Sequence, residues 1–237
     1  MGALHLDRIS WTEAEAEIAA GRDTVVVPLG STEAHGPHLP LGTDTIQPEN
    51  VVRELSVRLG AVVLPTVNYG LCSTTANFPG TISISFDTLR DLTRELLEEL
   101  VRHGVRDVLV LSGHAGRTHM AALKVAAEAV VKADPDGALR VMVLSDYDVA
   151  YGLLGEEFPP DDGHSGEVET SRIMVMRPDL VKGVGPDSTP DFPKFMVLKH
   201  PEKLFPTGVM GYPSQASTEK GERLNEYILD ELEKMLR

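Results

Sequence analysis

Short β-branched and aliphatic runs alternate with longer segments of helical spacing along this chain, the pattern of an α/β sandwich with a mostly parallel central sheet. Thr24 to Pro28 reads as a buried strand ending in a glycine-containing turn. Residues from about Pro48 to Leu59 have helical spacing, with Gly60 as the stop. Ala61 to Pro65 is the next apolar run, and Thr81 to Phe86 alternates as a strand does. Asp87 is placed to cap a helix running to about His103, with Gly104 beyond it. Asp107 to Leu111 and Arg140 to Leu144 repeat the strand pattern on either side of an alanine-rich helix, about Arg117 to Lys132. Glu167 to Met176 reads as a helix closed before Pro178, and Thr218 to Arg237 as an amphipathic one. Between them, residues 178–216 form a proline- and glycine-rich irregular excursion. No repeat, low-complexity tract or linker breaks this order, so residues 1–237 are expected to form one domain.

Charge and cysteine usage narrow the picture. The formal charge of −14 argues against nucleic acid as a partner, because phosphates are held by Lys and Arg. No segment approaches about 18 consecutive apolar residues, so no membrane partner is expected. Nor does an early charged-then-apolar stretch suggest a leader. The single cysteine, Cys72, excludes an internal disulfide and suits the reducing cytoplasm, the expected location. By itself it reads as a small, half-buried filler beside a turn.

Three glycine-flanked histidine segments carry the chemistry. The first runs from Gly30 through Glu33, His35 and His38 to Asp44, where a strand gives way to a loop. That is the usual ligand position in open α/β sheets. If residues 33–35 are extended, Glu33 and His35 project to one side, and the turn-rich loop can return Asp44 to the same point. Glu, His and Asp together suit Zn, Mn or Fe, and a carboxylate can bridge two ions. His38 fits this constellation poorly and reads as a surface or supporting residue.

The second segment, Gly113-His114-Ala115-Gly116, follows another buried strand. It lacks the lysine of a P-loop and the three glycines of a dinucleotide fingerprint, and its histidine favours a metal over a phosphate. His119, further into the helix, reads as structural or partly exposed. The third segment is Gly163-His164-Ser165-Gly166-Glu167-Val168-Glu169, with Ser165 the expected helix N-cap. Glu167 and Glu169 point about 200° apart on a helix, so only one of them faces the site.

Together these segments resemble the creatininase (creatinine amidohydrolase) family, whose members share a G-S-x-E-x-H-G-x-H-L-P-x-x-T-D loop, a G-H-x-G-type loop and an H-x-G-x-x-E-T-S segment. They stand here as Gly30 to Asp44, Gly113 to Gly116 and His164 to Ser171, and Phe78-Pro79-Gly80-Thr81 is similar to the family's F-P-G-T turn. The resemblance implies a three-layer α/β/α sandwich, one or two divalent metal ions (Zn, Mn or Fe) and a homo-oligomer, often a hexamer built from dimers. By position it implies Glu33, His35, Asp44 and His114 as metal ligands, with Asp44 bridging. It also implies His164 as the catalytic histidine and Glu169, rather than Glu167, as an acidic site residue.

Three departures qualify the substrate. Gly116 stands where creatininase has a glutamate ligand, which makes Glu169 the candidate to complete the metal ligands. The stretch Phe158-Pro159-Pro160-Asp161-Asp162 lacks creatininase's tryptophan, and Ala115 replaces an aromatic residue. Creatinine is therefore not the expected substrate. The expected activity is metal-dependent hydrolysis of a C–N bond in a small cyclic amide, formamide or related non-peptide molecule. Metal-activated water would attack, and His164 would protonate the departing nitrogen. Alternatives within the family are a deformylase, a cofactor-precursor peptidase or a cyclic-ketone hydrolase. The alternative of another class is a non-catalytic small-molecule or phosphate-binding module built on Gly113 to Gly116.

Overall fold

The short β-branched runs pair side by side because each is apolar on both faces and must be covered from both. A computed structural model describes residues 3–22 and 24–237. Its strands are β1 (Leu4–His5), β2 (Thr24–Leu29), β3 (Val62–Val63), β4 (Asp107–Ser112) and β5 (Arg140–Ser145). They form one parallel sheet in the order β1-β3-β2-β4-β5. The helices are α1 (Trp11–Ala19), α2 (Thr43–Leu59), α3 (Phe86–Arg102), α4 (Arg117–Ala133), α5 (Asp146–Ala150), α6 (Glu167–Met176) and α7 (Thr218–Leu236).

Successive strand residues go to opposite faces. Val26, Leu109 and Leu111 pack with α2, α5, α6 and α7, whereas Val25, Val27, Val108 and Val110 pack with α3 and α4. This is the expected three-layer α/β/α sandwich, and each fully buried Val or Leu contributes roughly 1.5–3 kcal/mol relative to exposure. In the register, Leu29 lies beside Ser112 and Ser112 beside Ser145, so the carboxyl ends of β2, β4 and β5 are level. From β2 the chain goes to β3 on one side and then to β4 on the other. Such a switch point opens a crevice at the strand ends, the place where ligands bind in this architecture.

Several local expectations are corrected. Thr81 to Phe86 is not a strand of the sheet. Its extended part crosses the loops above the sheet, with Ile82 N–H donating to the Thr32 carbonyl (2.9 Å) and Ile84 N–H to the Gly70 carbonyl (2.9 Å). Phe86 already begins α3, capped by Ser85 rather than Asp87. Helix α2 begins at Thr43, five residues before the expected start, so Asp44 lies in its first turn. Pro48 hid this start, yet it sits inside the helix and merely leaves the Asp44 carbonyl without its usual N–H donor. Ser165 is not the cap of α6. Asp162 takes that role from outside the helix, accepting from Glu167 N–H (2.7 Å) and Val168 N–H (3.0 Å). The 178–216 excursion is irregular as expected, broken by short 3₁₀ turns at Pro178–Leu180, Pro201–Lys203 and Pro213–Gln215 and by an antiparallel bridge between Ser188 and Gly211.

Candidate metal centre

Three chain segments bring the expected site residues to the carboxyl-end crevice: the loop after β2 with the first turn of α2, the loop after β4, and the start of α6 with the loop before it. Gly30 and Gly113 let them converge. A Cβ at either position would fall inside contact distance of the Asp44 carbonyl, so the ends of β2 and β4 can lie against the first turn of α2 only without side chains there. Glu33, His35, Asp44, His114 and Glu169 are all buried. The structure brings all five together, with His164 at the edge.

Asp44 stands at the centre. Its Oδ1 lies 3.0 Å from His35 Nε2, and its Oδ2 lies 3.0 Å from His114 Nδ1. Glu169 Oε2 is 3.6 Å from the same His35 nitrogen, and Glu33 Oε2 is 2.9 Å from the same His114 nitrogen. Two pockets of donors thus share one carboxylate. Ligand atoms of His35, Asp44 and Glu169 all lie within 4.8 Å of one another, as do those of Glu33, His35 and His164.

The opposite ring nitrogens decide what this geometry means. His35 Nδ1 is 3.0 Å from the Glu33 carbonyl, and His114 Nε2 is 3.1 Å from the Leu71 carbonyl. A carbonyl only accepts, so each of these nitrogens carries the proton. In the neutral ring the other nitrogen then points a lone pair at carboxylate oxygens. His35 Nε2 is buried and finds no hydrogen-bond partner of good geometry. Lone pairs facing carboxylates repel unless a proton or a metal cation lies between them. Protons alone would have to charge both histidines. Burial disfavours that charge, but Asp44 and Glu169 overcome it and raise His35 to about 10. His114 is likewise raised by Glu33 and Asp44 against burial. Burial pushes Glu33 up, but His114 brings it down to about 2, and Asp44 is held well below its usual value by the two histidines. A divalent cation meets the same demand with neutral histidines. The donor set fits such an ion, with the remaining ring N–H of each histidine fixed by a backbone carbonyl.

Other groups hold the donors in place. Ser31 Oγ donates to Asp44 Oδ2 (2.7 Å) and lies 3.1 Å from Glu33 Oε2. Thr75 Oγ1 donates to Glu33 Oε1. Ser165 adopts a left-handed backbone conformation (φ 58°), which aims its N–H at Glu169 Oε2. Glu167, the rejected alternative, is turned away and pairs with Lys220. His164 Nε2 lies 2.8 Å from the Ala34 carbonyl, and its ring centre is 4.3 Å from that of His35. With Nε2 as the donor, Nδ1 is the nitrogen left to exchange a proton.

Two further buried histidines, His38 and His119, lie outside this donor set. His38 is buried rather than at the surface, its Nε2 2.9 Å from Thr170 Oγ1 at the first turn of α6. Burial, aided by nearby His35, lowers it to about 4. His119 is fully buried between Ser112 Oγ (3.1 Å) and Leu71 N–H (3.2 Å), and burial lowers it to about 3. Cys72 is fully buried rather than half-buried, and its sulfur belongs to the donor cluster. The sequence reading missed Cys72, Ser31 and Thr75 as site residues, and also Tyr147, Tyr151 and Met210. The last three line a cavity of about 180 Å³ beside the donors. Only the position of Ser31, two residues before Glu33, offered a local signal.

Comparison with known proteins gives the family of the chain. The sequence model of the Creatininase family, described as creatinine amidohydrolase, matches residues 7–236. Creatinine amidohydrolase of Pseudomonas putida is 29% identical, with 94% of this chain and 92% of that protein covered. The mycofactocin precursor peptide peptidase of Mycolicibacterium smegmatis is 31% identical, over 84% and 78% respectively. A crystal structure of creatininase superposes with a TM-score of 0.88 at 29% identity, covering 98% of this chain and 96% of the other. A manganese form of creatininase (TM-score 0.87, 29% identity, 99% and 98% covered) and a Zn–Zn form of a creatininase variant (0.85, 28%, 100% and 98%) are similar as well. With its motifs, its sandwich and its family match in agreement, the chain belongs to the creatininase family of amidohydrolases, hydrolases that act on C–N bonds.

Proposed function

We propose that this protein is a metal-dependent amidohydrolase that cleaves a C–N bond in a small cyclic amide, formamide or related molecule. The observation that carries the reading is the pair of buried imidazole lone pairs, on His35 Nε2 and His114 Nδ1, each facing two carboxylates. In this reading Glu33, Asp44 and His114 hold one ion, and His35, Asp44 and Glu169 hold another. When bound, one or two ions of Zn, Mn or Fe supply a water of lowered pKa and polarise the scissile carbonyl. Ser31 and Thr75 fix the carboxylates so that no side chain has to reorganise. His164 protonates the leaving nitrogen through Nδ1, while the Ala34 carbonyl holds the ring by Nε2. Tyr147, Tyr151 and Met210 wall the cavity and limit the substrate to a small molecule or the end group of a longer one.

The similarity to the M. smegmatis peptide peptidase favours a second reading, in which the bond cut is near the end of a short peptide. Elemental analysis of protein purified without chelator, beside His35→Ala, tests the shared premise. The expected result is one or two equivalents of metal in the wild type, lost in the variant, with hydrolysis falling at least ~10³-fold. Full activity in a metal-free His35→Ala protein would refute it. Cyclic amides and formamides against short peptides, on the metal-loaded enzyme, then separate the two readings.

A further inference from the structure

Cys72 has no role in the scheme above, and although it is fully buried it belongs to neither apolar cluster that packs against the sheet. One carboxylate oxygen of Glu33, one ring nitrogen of His114 and Cys72 Sγ all lie within 4.8 Å of one another, and all three residues are buried. The loop that carries the thiol is tied to this position from several directions. His114 Nε2 donates to the Leu71 carbonyl (3.1 Å), and Leu71 N–H donates to His119 Nδ1 (3.2 Å). Cys72 N–H donates to Ser83 Oγ (2.9 Å). The bond that fixes the His114 tautomer therefore also sets the residue next to the thiol. The same bond leaves His114 Nδ1 as a lone-pair donor toward Glu33 and Asp44, which is an independent sign that a cation belongs there.

We propose that Cys72 is a sulfur donor to the ion held by Glu33, Asp44 and His114, giving that position a mixed sulfur–nitrogen–oxygen ligand set. The inference rests on the metal-dependent reading of the site. Its chemical consequence is selectivity. A thiolate is a soft ligand, so this position takes zinc, cobalt or cadmium in preference to manganese or magnesium, while the position of His35, Asp44 and Glu169 has only nitrogen and oxygen. Binding there displaces the thiol proton, which leaves with solvent as the sulfur–metal bond forms.

Because Cys72 is the only cysteine of the chain, its ligation has an unambiguous signature. Metal-stripped wild-type protein is titrated with Co(II) and followed by absorption, alongside Cys72→Ser and Cys72→Ala, each checked for folding by circular dichroism. The expected result is a sulfur-to-cobalt charge-transfer band in the wild type that is absent from both variants. Zinc affinity at that position should weaken about 10–100-fold or more, at least the effect of losing an outer partner of a metal ligand, with manganese affinity little changed. Cobalt uptake by the wild type without the band would overturn the thiolate assignment and leave the metal-dependent reading intact. No cobalt uptake at all would overturn both.

Discussion

Two of the buried charges on helix α6, Glu169 and Arg172, stand three residues apart, and the fold neutralises them in opposite ways. Arg172 Nη2 lies 2.7 Å from Asp146 Oδ2, with both side chains fully buried. Its Nε donates to Asn225 Oδ1 (3.0 Å). That pair joins α6 to the first residue of α5 and contains its own counter-charge. Glu169, on the same helix, faces His35, and with Asp44 and Glu33 it forms a group of carboxylates answered by two imidazoles. A guanidinium is permanently charged and closes its site, whereas a ring nitrogen offers a lone pair and leaves the counter-charge to an exchangeable cation. The two clusters are similar in burial, and in the reading proposed above only the second of them binds an ion.

The largest effect expected from breaking this contrast comes from His164→Ala, which removes the proposed proton donor but none of the proposed ligands. Turnover should fall about 10²–10⁴-fold, with metal content unchanged by elemental analysis. Loss of metal together with activity would make His164 a ligand rather than a proton donor. Next comes the closed pair. Arg172→Met leaves Asp146 buried without its partner and should cost about 3–5 kcal/mol in denaturant unfolding. Replacing both partners, Asp146→Leu with Arg172→Met, should recover most of that loss, because the apolar pair needs no counter-charge. Both proteins should still bind metal wherever they are folded. No such compensating swap exists for the donor cluster if a cation holds it together.

Those outcomes bear on residues of very unequal legibility in the sequence. Glu33, His35, Asp44, His114 and His164 stand in glycine-flanked segments that local spacing singles out, whereas spacing left Glu167 and Glu169 open and only the family resemblance chose Glu169. Strands β2 to β5 and the longer helices were legible because periodicity is a local property, whereas β1 was not predicted and the alternation of Thr81 to Phe86 belongs to a loop outside the sheet. Asp146, Arg172 and Cys72 were not legible, because each acquires its role from a partner far along the chain. Asp146 and Arg172 are 26 residues apart, and nothing in either neighbourhood announces the other. The early start of α2 was hidden by Pro48, a residue that normally marks a boundary. Helix α1 carried a legible signal that went unused: Ser10 and Glu13 form a capping box.

Asp162 shows a third treatment of a buried carboxylate, neither a cation nor a guanidinium but backbone N–H groups. It accepts from Glu167, Val168 and Tyr212 (2.7, 3.0 and 3.0 Å) at the amino end of α6. Burial nevertheless outweighs these donors and raises it from 3.8 to about 6. Between those values the folded chain keeps a proton that the unfolded chain releases. The stability Asp162 contributes is therefore full below about pH 3.8 and falls as pH rises through 6. Asp162→Asn keeps one acceptor oxygen and cannot titrate. Its expected deficit against the wild type, about 1 kcal/mol as for the loss of a cap, should narrow as denaturant unfolding is repeated at rising pH across that window. A deficit that widens instead would mean that the three N–H donors, helped by the helix terminus, hold Asp162 ionised. In that case backbone dipoles alone would serve a buried carboxylate here as well as Arg172 serves Asp146.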